Sequence, residues 1–381
     1  MNEITKIAEW FRRYSFPILA FLISRIGLFG LIWLSLVILP SETSGGRYWF
    51  FPHNLFVDGW FRWDSGWYIS IAQQGYSDVV TKVYRNTAFF PFYPMLIKGL
   101  SYLVGNVYIA SLLISNFSLL AACMVLYRLI SDQFNKTIAQ NSLLLLLLSP
   151  FSFFFSAAYT ESLFLLLTVL VFYFGTHKKW LIASLCAAAA SATRLVGIIT
   201  VVPLIIFYFE SIDFNWRKIR SDILWFGLSL IGIGGFMLLQ AIKFGDPFLF
   251  IEGQNVPGWK DGVNIFSALD ALRITFSWNS LKTGDFPAIY VIQILAFIGG
   301  LSIIMISRRT LPHGWWIWTL ITLLISFSVW ISLGRFSIVI FPLYIGTALV
   351  FKGRWFDTVL YFSVLFLTLF AILFSHWYWI G

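Results

Sequence analysis

Charge is scarce in this chain. Its 26 Lys and Arg and 17 Asp and Glu make up 11% of 381 residues, where a soluble domain of average composition carries roughly a quarter. That shortage excludes an ordinary soluble enzyme and a disordered chain. Cysteine is scarcer still: Cys123 and Cys186 both fall in apolar runs, where a thiol behaves as a small apolar side chain. Neither a disulfide framework nor a paired-cysteine zinc site is present. The sequence also lacks a P-loop, a GxGxxG turn, a His-Glu-x-x-His motif and an Asp-x-Asp pair. An ATP-driven pump or a nucleotide-sugar enzyme of the soluble kind is therefore not expected.

What is abundant is apolar: 59% of residues are hydrophobic, 20% aromatic, and the mean hydropathy is +0.82. A bilayer core needs about 20 apolar residues per helix, fewer where protein shields the segment. Long runs lie at 17–39, 106–130, 223–243, 288–307, 314–331 and 357–378. Shorter ones lie at 139–155, 160–176, 180–193, 196–209 and 336–350. The expectation is an all-α polytopic membrane protein with about 11 transmembrane helices, residues 1–381 forming one integral membrane domain. The shorter runs come in pairs joined by tight turns, which points to polar turns deep in the structure.

The net charge of +9 becomes informative once sorted by side. With the N-terminal segment taken as cytoplasmic, that face holds 14 basic against 7 acidic residues, and the opposite face 11 basic and 10 acidic. Arg25 lies inside the first run. Basic excess in short loops marks the cytoplasmic side, so the N-terminus is expected there and the +9 is not a nucleic-acid signal. The first run is too long for a signal-peptide core and is read as a retained helix. Of two Asn-x-Ser/Thr sequons, Asn116-Phe117-Ser118 falls in a helix and Asn135-Lys136-Thr137 on the cytoplasmic side. Their placement fits a prokaryotic plasma membrane.

Two external loops are long, about 40–105 and about 244–287, whereas all cytoplasmic loops are short. Chemistry is thus expected on the extracytoplasmic face. In Arg62-Trp63-Asp64-Ser65-Gly66-Trp67-Tyr68 a short amphipathic helix begins, capped by Asp64 or Ser65 and ended by Gly75. A second amphipathic piece follows Pro91 and Pro94. Asp64 reads either as a helix cap or as a carboxylate between tryptophans, and a partly desolvated carboxylate is suited to accept a hydroxyl proton. Glu161, Arg194 and Arg335 all sit in turns at membrane depth on the external side. Such residues are costly and line polar cavities or pair with one another. They form either a structural Glu161–Arg194 lock or an anion holder with Glu161 orienting an arginine or a sugar hydroxyl. Arg25 is expected to snorkel.

These residues resemble the PIG-V mannosyltransferases and their prokaryotic relatives. The resemblance rests on Trp63-Asp64, Trp67-Tyr68, Ile71-Ala72 and Gly75-Tyr76, then Phe89-Phe90-Pro91-Phe92-Tyr93-Pro94. It continues through Ser149-Pro150, Phe154-Phe155-Ser156-Ala157-Ala158-Tyr159-Thr160-Glu161-Ser162 and Ala192-Thr193-Arg194. Gly245-Asp246-Pro247-Phe248, Gln254, Trp259 and Arg335-Phe336 are looser matches. The resemblance implies a GT-C glycosyltransferase that inverts at the anomeric carbon. It also implies a polyprenyl-phosphate sugar donor, a glycolipid or other extracytoplasmic acceptor, and Asp64 as general base. Arg194 or Arg335, with Arg62 or Arg85 from the loop, would hold the departing phosphate, and Trp63, Tyr68 and Tyr159 would stack on sugar rings. No cofactor is expected; without an Asp-x-Asp pair nothing demands a divalent cation. The rivals are a carrier of lipid-linked sugars, which needs polar groups reaching both faces, and a noncatalytic subunit of a mannosyltransferase complex.

Overall fold

The computed structural model describes residues 3–40, 50–51, 54–77, 86–253, 288–327 and 332–380, with isolated positions at 273, 277 and 282. Most of the loop expected at 244–287, with Gln254 and Trp259 of the resemblance, and Arg85 of the loop expected at 40–105, lie outside the described residues. Among the described residues every regular element is a helix. The chain begins with α1 (Glu3–Ile38) and passes through two short loop helices, α2 (Ser65–Gln74) and α3 (Phe92–Val104). It continues as α4 (Val107–Gln133), α5 (Lys136–Leu147), α6 (Glu161–Thr176), α7 (Trp180–Thr193) and α8 (Val201–Ser211). Then come α9 (Ile231–Phe244), α10 (Ala288–Ser307), α11 (His313–Phe327), α12 (Leu333–Ser337), α13 (Pro342–Val350) and α14 (Arg354–Ser375).

Five stretches are long and apolar enough to cross a membrane: Arg13–Ile38, Val107–Gln133, Ser221–Phe244, Tyr290–Ser307 and Arg354–Ser375. Their outward faces carry large exposed apolar side chains such as Ile26, Leu224, Ile242, Leu295 and Tyr361. In water such a surface would be untenable; against acyl chains it is the expected finish. The protein is an integral membrane protein. The shorter α6 is apolar nearly all round and buried along its length, packed between α4 and α7, as a helix without a polar face must be.

Local chemistry sets the element ends. The Asn106 side chain accepts from Tyr108 N and Ile109 N at 2.9 and 3.1 Å, starting α4, and Asn135 accepts from Ile138 N at 2.9 Å to start α5. Between α3 and α4 the chain reverses through Gly105 at φ +74, and α2 stops at Gly75 at φ +77, both conformations that disfavour a side chain.

Three sequence expectations need correction. The run 139–155 is not one helix: α5 ends at Leu147, and a buried irregular segment with a single turn at Ser152–Phe155 leads to Glu161. Ser149-Pro150 explains the break, because proline cannot continue the hydrogen-bond ladder and disfavours helix in the residue before it. Similarly, 336–350 divides at Pro342 into α12 and α13. Arg25 does not snorkel. It is 4% exposed, and its guanidinium donates to Leu147 O at 2.6 Å, Ser152 O at 3.0 Å and Ser152 Oγ at 3.0 Å. Carbonyls released by the broken helix have no water to turn to, and Arg25 satisfies them.

Candidate functional site

The broken segment after α5 faces the loop that carries Asp64, and the two together build a polar centre. Arg62 is fully buried. Its Nη2 pairs with Asp58 Oδ2 at 2.8 Å, Nη1 donates to Asp58 O at 2.7 Å, and Nε donates to Ser375 O at 2.8 Å. This residue therefore anchors the loop to α14. The next residue, Trp63, has φ +54 and is 37% exposed, a backbone conformation that a bulky side chain adopts only under constraint. The Tyr159 hydroxyl supplies one. It donates to Arg62 O at 3.0 Å and accepts from Asp64 N at 3.2 Å. The hydroxyl thus spans the two residues that flank Trp63.

Asp64 sits at the start of α2, yet its side chain makes no capping hydrogen bond. Its carboxylate turns toward α12 instead, where Oδ2 lies 2.6 Å from Arg335 Nη1. Arg335 Nε lies 2.9 Å from Glu161 Oε1, a charge contact whose N–H is not aimed at the oxygen. Arg194 Nη1 donates to that same Glu161 oxygen at 2.9 Å. Asp64, Arg335, Glu161 and Arg194 thus form one alternating chain of two carboxylates and two guanidinium groups. Exposure falls from 13% at Asp64 to 7% at each arginine and 0% at Glu161. A row of charges with zero net charge is the form in which such groups tolerate burial. The lock expected from Glu161 and Arg194 is present, but it is one link of a longer array.

Aromatic rings enclose the array. Phe336 lies under both guanidinium groups, with Arg194 Cζ 4.3 Å and Arg335 Cζ 5.3 Å from its centroid. Tyr159 presents its ring to Arg335 at 5.0 Å. Tyr68, on the buried face of α2, lies edge-on to Tyr159 at 6.3 Å. Burial, with the Glu161 carboxylate second, pushes the Tyr68 phenol above its ordinary range, so it stays protonated. Among the described residues no three His, Cys, Asp or Glu side chains gather as a metal site.

The structure brings Trp63, Asp64, Tyr68, Tyr159, Glu161, Arg194 and Arg335 together. Arg62 is turned away to Asp58, and Tyr159 is fully buried with its hydroxyl committed to the loop backbone. Four residues that the structure places here have no site role expected from the sequence: Phe336, Gln293, Trp377 and Trp379. Gln293 is buried in α10 and accepts from Gly334 N while donating to Ile380 O at 3.4 Å. A lone glutamine in a span of this kind is a usable cue. Aromatic residues in a chain with 18 tryptophans are not.

Residues 88–239 match the family model for dolichyl-phosphate-mannose-protein mannosyltransferase. In sequence the chain is similar to GPI mannosyltransferase 2 of Yarrowia lipolytica, 27% identical over 203 residues, which are 53% of this chain and 55% of that one. Similarity to GPI mannosyltransferase 2 of Cryptococcus neoformans is 28% over 198 residues, 47% of this chain and 45% of that one. The chain thus spans about half the length of these relatives. In fold it is similar to ArnT from Cupriavidus metallidurans, solved with undecaprenyl phosphate bound. That match has a TM-score of 0.55 at 14% identity and covers 91% of this chain and 62% of that one. The oligosaccharyltransferase of Archaeoglobus fulgidus, solved with a tethered acceptor peptide, matches at TM-score 0.50 and 13% identity, covering 98% and 56%. The architecture is the GT-C fold.

Proposed function

We propose that this chain, similar in fold to ArnT and over part of its length in sequence to mannosyltransferases, is an inverting glycosyltransferase of the GT-C mannosyltransferase family. It transfers a sugar, with mannose the first candidate, from a polyprenyl-phosphate donor to a lipid-linked or other extracytoplasmic acceptor. The observation that carries the reading is the charge array: an accessible carboxylate at one end, two guanidinium groups along it, and an apolar protein around it. Its enzymatic setting is a plasma membrane, with the N-terminus cytoplasmic and Asp64 facing outward.

In this scheme Asp64 takes the proton of an acceptor hydroxyl as its oxygen attacks the anomeric carbon. The bond from that carbon to the phosphate oxygen breaks, and the electron pair leaves with the lipid phosphate. Arg335 and Arg194 hold the departing charge in surroundings where water is sparse. The leaving group departs already ionised, so no general acid is needed. Arg335 now occupies Asp64 Oδ2. A donor phosphate competes for that guanidinium, and its arrival frees the carboxylate oxygen for the incoming hydroxyl. Arg62 and Tyr159 hold the loop that carries Asp64, Trp63 lines the approach, and Tyr68 backs the site from the buried face of α2. The mannose assignment draws on the likeness to GPI mannosyltransferase 2, and the lipid-phosphate donor matches in class the ligand in the ArnT structure.

The test uses the full chain, purified and reconstituted, with polyprenyl-phosphate mannose carrying a labelled sugar and a total membrane lipid extract as acceptor. Label is expected to move to a lipid product resolved by mass spectrometry, and Asp64→Asn should transfer at least ~100-fold more slowly, the low end for acid–base catalysis. Near-normal transfer by Asp64→Asn removes the carboxylate from the reaction. Transport of the intact donor across the vesicle without any transfer replaces the enzyme with a carrier.

A further inference from the structure

After α14 the chain returns across the site, and its indoles meet the Asp64 loop. Trp377 stacks over the Arg62 guanidinium, 5.0 Å from ring centroid to Cζ, and meets Trp63 edge-on at 5.8 Å. Trp379 meets Trp63 at 5.5 Å with an interplanar angle of 78°, and the Arg335 guanidinium carbon lies 5.8 Å from its centroid. Trp379 is half-buried, whereas Trp377 is buried. The buried Gln293 amide grips both Gly334 N, beside Arg335, and Ile380 O, beside Trp379. One side chain therefore ties the returning segment to the turn that carries the arginine.

Two accessible indoles at right angles, beside a carboxylate–guanidinium pair, form a corner with two kinds of surface. An indole face is electron-rich and apolar. A pyranose ring is its complement, with C–H groups on one face and hydroxyls around the rim that seek a carboxylate or a guanidinium. Ligand sites combine an apolar aromatic lining with a few polar groups in this manner. The constrained backbone of Trp63 is consistent with an indole held in place for contact and not merely for packing. We propose that Trp379 is a sugar-contacting residue: with Trp63 it forms the wall against which a pyranose lies while its hydroxyls meet the Asp64–Arg335 pair. This assignment rests on the sugar-transfer reading above and deepens it. The pyranose belongs either to the donor or to the acceptor, and both present the same chemistry to the wall.

Binding by the full chain in detergent, measured for three probes, separates the cases. The probes are short-chain polyprenyl-phosphate mannose, the same polyprenyl phosphate without sugar, and methyl α-mannopyranoside in the presence of saturating polyprenyl phosphate. Trp379→Ala is expected to weaken the sugar-bearing donor about tenfold if the wall holds the donor sugar, or methyl α-mannopyranoside by about as much if it holds the acceptor. Bare polyprenyl phosphate should bind as to wild type. Trp379→Phe, which keeps an aromatic face, should recover most of the loss. Unchanged binding of both sugar-bearing probes to Trp379→Ala overturns the assignment while leaving the transferase reading intact. If the alanine variant also loses bare polyprenyl phosphate, the phenylalanine variant decides: a loss of about threefold confined to sugar-bearing probes supports the wall, and equal binding of all probes overturns it. A wild-type protein that binds neither sugar-bearing probe overturns the transferase reading itself.

Discussion

Asp64 and Arg335, 271 positions apart in sequence, are joined by a 2.6 Å contact between Oδ2 and Nη1. Because the carboxylate at the start of α2 is drawn to α12 and not to its own helix, the two residues act as a unit. Removing either should disable the same step. Arg335→Gln is expected to lower kcat by about 100–1,000-fold, the range for losing one oriented charge-stabilising donor. The double variant Asp64→Asn with Arg335→Gln should be far less than multiplicatively worse than the poorer single variant. Multiplicative losses in steady-state transfer would show that the two act independently.

Glu161 is the shared partner of two buried arginines. Neutralising it leaves Arg194 without a carboxylate and Arg335 with Asp64 alone, so Glu161→Gln should destabilise the protein by about 3–5 kcal/mol. Thermal melting in detergent checks this. Arg194→Gln with Glu161→Gln together should be less damaging than Glu161→Gln alone, since the stranded charge of Arg194 is then gone.

Tyr159→Phe deletes one hydroxyl and keeps the ring beside Arg335. The hydroxyl bonds to Arg62 O and Asp64 N, so its loss should cost about 1–3 kcal/mol and loosen the Trp63 turn. Turnover is expected to fall by about tenfold, with donor affinity close to wild type, because misplacing a reacting group slows the step it performs. A variant with full kcat would mean that the turn holds its shape without this bridge.

Arg25 separates two pictures of the first span. Were it reaching for the interface, lysine would serve as well. Bonded as it is to Leu147 O and to Ser152 O, it needs a planar fork that one ammonium cannot reproduce. Arg25→Lys and Arg25→Met should each lower the melting temperature, methionine more, because it removes every guanidinium hydrogen bond to this buried segment and leaves Leu147 O with the Ser152 hydroxyl, a loss of about 1–3 kcal/mol. A lysine variant with wild-type melting would restore the interfacial picture.

Much of this protein was legible in one dimension. Hydropathy marks apolar spans because the cost of exposing polar backbone to lipid acts on every residue of a span. The same cost makes each charge at membrane depth conspicuous. Asp64, Glu161, Arg194 and Arg335 stood out for that reason, and the structure gathers all four into one array. Proline and glycine marked several ends, notably Gly75 and Gly105. Interruptions at Ser149-Pro150 and Pro342 were obscured by the apolar residues around them, since hydropathy records burial and not the continuity of the helical ladder.

Pairing was decided only by the tertiary structure. Arg62 adjoins the central loop in sequence, yet it belongs to Asp58 and Ser375. Arg25, which in sequence is a cation near a helix end, lies where α5 breaks and supplies the donors that break requires. Trp379 reaches Trp63 from the far end of the described chain. Contacts at such separations follow from how helices cross and where irregular segments return, and no periodic pattern encodes them. Composition and spacing named the charges; packing chose their partners, because a buried charge is stabilised only by the particular group that geometry brings within bonding distance.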